Sequence, residues 1–512
     1  MSISMKRFAA VLLPVVFMTV IFLSLFSCGD SQDSSLNSNS GGEDNAAGIA
    51  GGLDIPDGET DISDNISKLE PDLPEADFDG ETVNFLVKGE DHHWYWSSKE
   101  IYAEQENGEP VNDAVYRRNR YIEDKYNFEI TEYRSADPSG DASKTVRADD
   151  GTYDAFMLGL TDGASLAQSG YLVNLYSMPH INLSQPWWDQ RAVKDLTVGD
   201  KLYYALGDIN IMDNDATFAV FFNKQLISDY AMDSPYQFVR DGEWTLDVFN
   251  RMIVEISRDL NGDGIMDGND LFGQLGQSDA AYDLFVGAGG RITVNNSQNY
   301  PEISINNERT SAIIDKILIN MGNRELTLFA DDYTGQYSNP WDELTRPMFK
   351  NNQGLFYTIG MGTANLLRDM EIDFGILPLP KFDKNQGEYY NTIGSGSTTS
   401  VCVPASGTNP ELTGFALEAM AAESVYTLTE AYYTINFENK NLRDEESVEM
   451  TKIILNSRSY DLGSMFNFGG LVDMFAPMAR RNENSFASDY ERRGDNAQRA
   501  IERLMESFGN MG

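Results

Sequence analysis

Cysteine is nearly absent: Cys28 and Cys402 are the only two in 512 residues. Neither a disulfide framework nor a cysteine-based zinc site can be assembled from them, so packing has to hold the fold. Histidine is equally scarce, with only His92, His93 and His180, which leaves little for imidazole acid–base chemistry. Positive charge is short as well. Against 38 Lys and Arg stand 80 Asp and Glu, a formal charge of -42, and so acidic a chain has no broad basic surface to neutralise a phosphate backbone. That excludes nucleic acid as the main partner. The motifs HExxH, GxxxxGKS/T and GxSxG do not occur, so common signatures of zinc proteases, P-loop nucleotide hydrolases and serine hydrolases are missing. No repeat of roughly 20 to 50 residues is present, which argues against a solenoid or propeller.

What is present is a large apolar complement, 41% hydrophobic and 11% aromatic, too much buriable surface for a disordered chain. At roughly 150 residues per domain the length fits three domains or one bilobed protein. Lys6 and Arg7 precede an uncharged apolar run over residues 8–25, the pattern of an export signal. The segment LFSC at 25–28 resembles a bacterial lipobox, which implies cleavage before Cys28, a lipid on Cys28 and a place on the outer face of the cell membrane. Phe26 departs from the small residue usual there, and the apolar run is just long enough to span a bilayer uncleaved; both readings put the remainder outside. Residues 31–77 hold 12 acidic side chains against the single Lys68 and are rich in Ser, Asn and Gly. With Cys28 this region, 28–77, reads as a disordered acidic spacer.

Beyond it, strand-like and helix-like segments alternate. TVNFLV (82–87) reads as a strand, 110–126 as a helix with Pro near its start, 128–133 as a strand, 141–149 as a helix and YDAFML (153–158) as a strand. Further strands are expected at 201–206, 217–223, 271–275, 354–359 and 374–378. Further helices are expected at 245–258, 310–321, 410–422, 445–455 and 497–508. The class is α/β, and a parallel sheet binds ligands beyond the carboxyl ends of its strands. That makes the loops after Val87 and Leu158 candidate walls of a site.

Several collinear segments resemble the extracellular solute-binding proteins of family 1, the carbohydrate-type receptors of ABC importers. They are GEPVNDAVY (108–116) with Arg118 and Asn119, YD (153–154), GYLVNL (170–175), YYAL (203–206), FFNK (221–224), EWTLD (243–247) and GILPLP (375–380) with Val403 and Pro404. RDEESVEM (443–450) and YDLG (460–463) resemble the tail of a clostridial subgroup. The resemblance implies a two-lobed periplasmic-binding-protein-like fold of type II with crossover hinges near 208–217 and 394–400. In chain order, 1–27 is the signal peptide, 78–210 begins lobe 1, 211–395 is lobe 2, and 396–512 returns to lobe 1 and ends in a helical tail. It further implies sugar held between the lobes and delivery to permease subunits.

A sugar presents C–H faces and hydroxyls together, so its site needs aromatic platforms with carboxylates and amides. Trp94 and Trp96, flanking Tyr95 in a polar loop after the first strand, are candidate platforms. So are Trp187 and Trp188 after Pro186 and Trp341 after Pro340, with Tyr389 and Tyr390 behind them; each has core packing as its plain alternative. Trp244 opens a helix and reads as packing. Asp213, Asn214 and Asp215 beside the first crossover are candidate hydrogen-bond partners, with a solvated turn as the alternative. Residues 259–270, DLNGDGIMDGND, place oxygen donors in a calcium-loop pattern: Asp259, Asn261, Asp263, the Ile265 carbonyl, Asp267 and Asp270, with Gly264 at the sixth position. Asp270 stands where Glu is usual. A structural Ca2+ is expected there, a metal-free Asp/Gly turn being the alternative. His92 and His93 lack a third ligand by spacing and read as a polar rim. Cys402, in an apolar strand, reads as a small buried hydrophobe.

The composite reading is a lipid-tethered substrate-binding protein that captures a sugar or oligosaccharide and carries out no reaction. Two other classes stay open from sequence: a glycosidase built on paired carboxylates, and a sensing or adhesion lipoprotein that does not transport. Replacing Cys28 by Ala is expected to abolish lipid incorporation and leave an unprocessed, longer precursor; unchanged lipid labelling and processing contradict lipidation.

Overall fold

In the computed structural model, which describes residues 68–89, 96–437 and 445–510, strand β1 (Glu81–Lys88) starts the fold. Its β-branched and aromatic run suits a pleated backbone, and Val83, Phe85, Leu86 and Val87 have no exposed surface. Burial on both faces is the mark of a sheet covered by helices. The helix Pro110–Tyr126 follows: Pro110 occupies a position whose N–H is not needed, the Glu109 side chain accepts from the Asn112 N–H, and Asn127 (φ 54°) ends it in the left-handed region. It leads to β2 (Phe128–Ser135), and a second Pro-started helix, Pro138–Ala148, capped by Asp137, leads to β3 (Ala155–Leu158). Both β2 and β3 lie parallel to β1, with Val83 opposite Ile130 and Leu86 opposite Phe156.

The chain then enters a second sheet made of β4 (Phe218–Asn223), β5 (Phe272–Gly276), β8 (Thr327–Phe329), β9 (Gly354–Gly360) and β10 (Phe374–Leu377), in the order β10-β4-β9-β5-β8. Between β5 and β8 an antiparallel hairpin of β6 (Thr293–Asn295) and β7 (Pro301–Ile303) stands apart from the sheet. The helix Leu246–Ile256 buries Leu246, Phe249, Met252, Ile253 and Ile256 and packs on β5 and β9. Trp244, just before it, is fully buried, donates to the Pro378 carbonyl at 2.8 Å and meets Phe249 edge to face, the packing role expected of it.

After β11 (Asn391–Thr392) the chain returns to the first sheet, where β12 (Ser400–Cys402) adds antiparallel to β3. Helices Pro410–Ser424 and Leu428–Phe437 pack on Pro110–Tyr126 in the first lobe, whereas Glu445–Asn456 packs on β10 and Phe475–Arg481 on Ala280–Gly287 in the second. The tail is thus shared between the lobes. Its strand β13 (Arg458–Ser459) pairs with β11.

Three segments differ from the sequence reading. Residues 68–77, expected in the disordered spacer, lie against the fold: Lys68 pairs with Glu423, the Leu69 N–H donates to the Tyr426 hydroxyl at 2.7 Å, and Leu73 and Ala76 pack on the core, because apolar side chains here find a surface to cover. Residues 201–206 form no strand; Leu202 to Leu206 are buried and touch the first sheet through an isolated bridge of Ala205 to Val401. The last helix, Phe486–Asn510, starts well before the expected 497, its first half masked by Gly494 and dense charge. Trp187 and Trp188, expected at the mouth of a site, are instead core residues. Each is 1% exposed, and their indole N–H groups donate to the two oxygens of Glu418 at 3.1 and 2.9 Å. Gly207 permits this: a Cβ there would stand 2.1 Å from the Trp187 carbonyl. Burial pushes the Glu418 carboxyl up to about 7. Glu418→Ala leaves two buried donors unpaired and is expected to cost about 3 kcal/mol in urea unfolding, with Glu418→Gln milder; an unchanged midpoint contradicts this account of the tryptophans.

Candidate functional site

The carboxyl ends of β1 and β3 open on a cavity of about 310 Å³ lined by Lys88, Trp96, Asp137, Asp162, Gly396 and Ser397, with Pro138 and Ser139. Each wall follows from the chain path. Lys88 is the last residue of β1, and its ammonium donates to the Gly396 carbonyl of the second crossover at 2.8 Å. Burial pushes its pKa down, opposed by Asp162 and Glu100. Asp137 caps the helix Pro138–Ala148 through the Gly140 N–H, and Asp162 lies in the first turn of the helix Leu160–Gln168 that leaves β3. Trp96 is half-buried; its ring reaches within 3.9 Å of where a Cβ on Gly360, at the end of β9, would stand. An indole, an ammonium, two carboxylates and two hydroxyls around one space can stack on a sugar face and bond its hydroxyls.

The loop carrying Trp96 is anchored from below. Arg118, fully buried, donates to the carbonyls of Glu100 (2.7 Å) and Ile101 (3.1 Å) and to Ser424 Oγ (3.1 Å), and Asn119 donates to the Ile101 carbonyl at 2.8 Å. Desolvation brings the Arg118 pKa down to about 10. The Arg118–Asn119 pair thus positions the loop by backbone contacts.

The expected polar candidates lie deeper, at the first crossover. Asp213 is buried, and its carboxylate meets Arg458 Nη1 at 2.8 Å; Asn214 Oδ1 accepts from the same nitrogen at 3.0 Å. Arg458 Nη2 also reaches Asp189 at 3.0 Å, which accepts from Tyr460 at 2.7 Å. Asp215 accepts from Tyr432 at 3.0 Å and faces Lys99 at 3.9 Å. Neither Asp213 nor Asp215 lines the cavity; their partners are protein groups, because a buried carboxylate must be paired. Trp341 is half-buried and donates to Gln277 Oε1 at 2.8 Å just beyond the end of β5. It too is outside the cavity lining. Trp94, His92 and His93 lie outside the described residues, as does Cys28. Tyr389 donates to the Val239 carbonyl, and Arg291 sits over the Tyr390 ring. Cys402 is buried, as expected. The walls that sequence reasoning missed, Lys88, Asp137 and Asp162, fall in or beside the loops after β1, β2 and β3.

In residues 259–270, Gly264 has φ 80°. Asp259 accepts from the Gly262 and Gly264 N–H groups, Asn261 from Asp263, Asp263 from Ile265, Asp267 from Asn269, and Asp270 from Leu260 and Asp267. These backbone bonds hold Asp259 below the usual carboxylate range. Among the described residues no group of three or more His, Cys, Asp or Glu side chains is arranged to hold a metal. Nor does any described helix have the length and apolarity to cross a membrane.

Compared with family models and with curated proteins, the sequence gives no match. Solved structures do match in fold. Maltose-binding periplasmic protein MalE from Listeria monocytogenes, in complex with maltose, is 15% identical with a TM-score of 0.52, over 85% of this chain and 99% of its own. A cyclo/maltodextrin-binding protein complexed with maltotetraose is 14% identical with a TM-score of 0.53, over 84% and 98%. The ABC substrate-binding protein Lmo0181 from Listeria monocytogenes, in complex with cycloalternan, is 11% identical with a TM-score of 0.50, over 84% and 100%. The chain therefore has the two-lobed periplasmic-binding-protein-like α/β fold.

Burial outweighs the pull of Arg458, which Asp189 shares, and pushes Asp213 up to about 7; burial likewise takes Asp208 up to about 6. A carboxyl raised above its unfolded value stabilises the fold most below that value and loses the contribution as pH rises through the folded pKa. Between about pH 4 and 7 these two groups therefore lower stability as pH rises. Asp213→Asn is expected to flatten this decline in urea midpoints measured at pH 5 and pH 8; an identical slope in the variant contradicts the assignment.

Proposed function

We propose that this protein is the substrate-binding lipoprotein of an ABC importer, holding a sugar or oligosaccharide between its lobes for delivery to permease subunits. The observation that carries the reading is the cavity at the carboxyl ends of β1 and β3, where Trp96, Lys88, Asp137 and Asp162 meet the second crossover. The sugar-bound proteins of the same fold support it. In this reading Trp96 is the stacking platform, the two carboxylates accept hydrogen bonds from hydroxyls, and Lys88 donates. Because Lys88 already holds the crossover through Gly396, a ligand that touches Lys88 touches the hinge as well, which couples occupancy to lobe position. No bond is made or broken. Lipid on Cys28 tethers the protein to the outer face of the membrane, and the part of the spacer before Lys68 gives it reach.

Calcium belongs to the same proposal. Residues 259–270 keep the donor spacing and the left-handed Gly264, but their carboxylates do not converge in this structure; Ca2+ would have to draw Asp259, Asn261, Asp263, Asp267, Asp270 and the Ile265 carbonyl together, and would relieve the repulsion of four carboxylates. Chelation is expected to lower the melting temperature of full-length protein, and added Ca2+ to restore it; an unchanged melt contradicts a bound ion.

The function is tested by thermal shift of the full-length protein against a panel of mono- and oligosaccharides. A ligand at about a hundred times its Kd adds about 2.7 kcal/mol, a shift of a few degrees. One sugar is expected to raise the melting temperature and be recovered intact, with the shift lost in Trp96→Ala and Lys88→Ala. A flat panel, or a shift that survives both substitutions, contradicts the reading; a sugar recovered cleaved identifies a glycosidase.

A further inference from the structure

A second and larger groove, about 840 Å³, lies between the hairpin 293–303 and the helix Phe486–Asn510. Nothing in the import reading uses it. Two tyrosines form its aromatic walls, and both are seated on glycines. A Cβ on Gly199 would stand 3.2 Å from the Tyr300 ring, and one on Gly494 would stand 3.0 Å from the Tyr490 ring. Gly494 is inside a helix, where glycine costs about 1 kcal/mol relative to alanine; the ring lying across it supplies a packing reason for that cost. The hairpin is fixed in place. Asn296 accepts from the N–H groups of Gln298 and Tyr300 and donates to Glu302 at 2.9 Å, while Asn295 donates to the carbonyls of Asp195 and Thr197 in the first lobe.

The chemistry of the walls selects a ligand class. Pro301, Ile303, Ile501 and Met505, buried or half-buried, supply the apolar part of the lining, and the exposed Glu302, Glu491, Asp495 and Gln498 supply the polar part. No Lys or Arg lines the groove, and neither Glu491 nor Asp495 is ion-paired among the described residues. Carboxylates without a cation repel acidic glycans and accept hydrogen bonds from hydroxyls. An apolar lining with aromatic rings needs a ligand with apolar faces, which a small hydrated cation lacks. The volume is in the range that encloses a small ligand.

We propose that this groove is a second carbohydrate site, for a neutral glycan, independent of the cavity at Trp96. It gives the protein a hold on glycan outside the cleft, so that captured material is kept near the transported ligand.

The test is hydrogen exchange of the full-length protein with maltohexaose, cellohexaose and chitohexaose. At least one is expected to protect residues 296–303 and 490–498, and to do so equally in Trp96→Ala and Lys88→Ala, which separates this site from the cleft. Tyr300→Ala and Tyr490→Ala are each expected to weaken that protection about tenfold in affinity. Glu491→Ala, at an exposed position, weakens it without threatening the fold. The proposal is overturned if none of the three glycans protects these segments, or if protection survives both tyrosine substitutions and Glu491→Ala. Protection by trilysine in place of the glycans also overturns it and assigns the groove to a cationic partner.

Discussion

One buried guanidinium ties the crossovers together. Arg458 joins Asp189 of the first lobe to Asp213 and Asn214 of the first crossover, and its own strand pairs with β11 at the start of the second. Side chains from 189 and 213–214 therefore meet a cation more than 240 positions further along the chain. Desolvating that cation is costly and is offset by the Asp189 and Asp213 carboxyls and the Asn214 amide oxygen around it. It sits beside both crossovers, and the cavity at the ends of β1 and β3 meets the second of them through Lys88 and Gly396.

The same economy of charge recurs elsewhere. Arg118 spends its donors on two backbone carbonyls and so holds the Trp96 loop, and Glu418 spends its acceptors on two indoles. Lys88 alone among these faces a cavity while bonded to a crossover carbonyl. A chain with 80 acids and 38 bases thus places several of its few cations where the backbone must be pinned, and leaves the surface acidic.

Much of the fold was legible in the sequence because its signals are long. The runs 82–87, 217–223 and 354–359 are rich in apolar and β-branched residues, and the helices 110–126 and 308–321 carry clear faces. Strands of three residues such as β6, β7 and β8 are too short to show a period, and they escaped notice. The site was legible only as a place. Strand ends pointed to the loops after Val87 and Leu158, which is where the cavity lies. Of its walls Trp96 was named from sequence but Lys88, Asp137 and Asp162 were not, and a tryptophan in a polar loop and one bonded to a buried glutamate look alike in sequence. Trp187 and Trp188 were separable only through Glu418, 230 positions or more away. Asp213 and Asp215 turned inward for a similar reason: their partners Arg458 and Tyr432 lie more than 200 positions further along.

The most direct measurement is a crystal structure of the protein with the sugar that stabilises it. The account predicts a sugar ring against Trp96, with Lys88 and Asp137 or Asp162 within hydrogen-bond distance of its hydroxyls and the second crossover alongside. Sugar density confined to another part of the molecule, with the space between Trp96 and Asp162 filled by water alone, would contradict it.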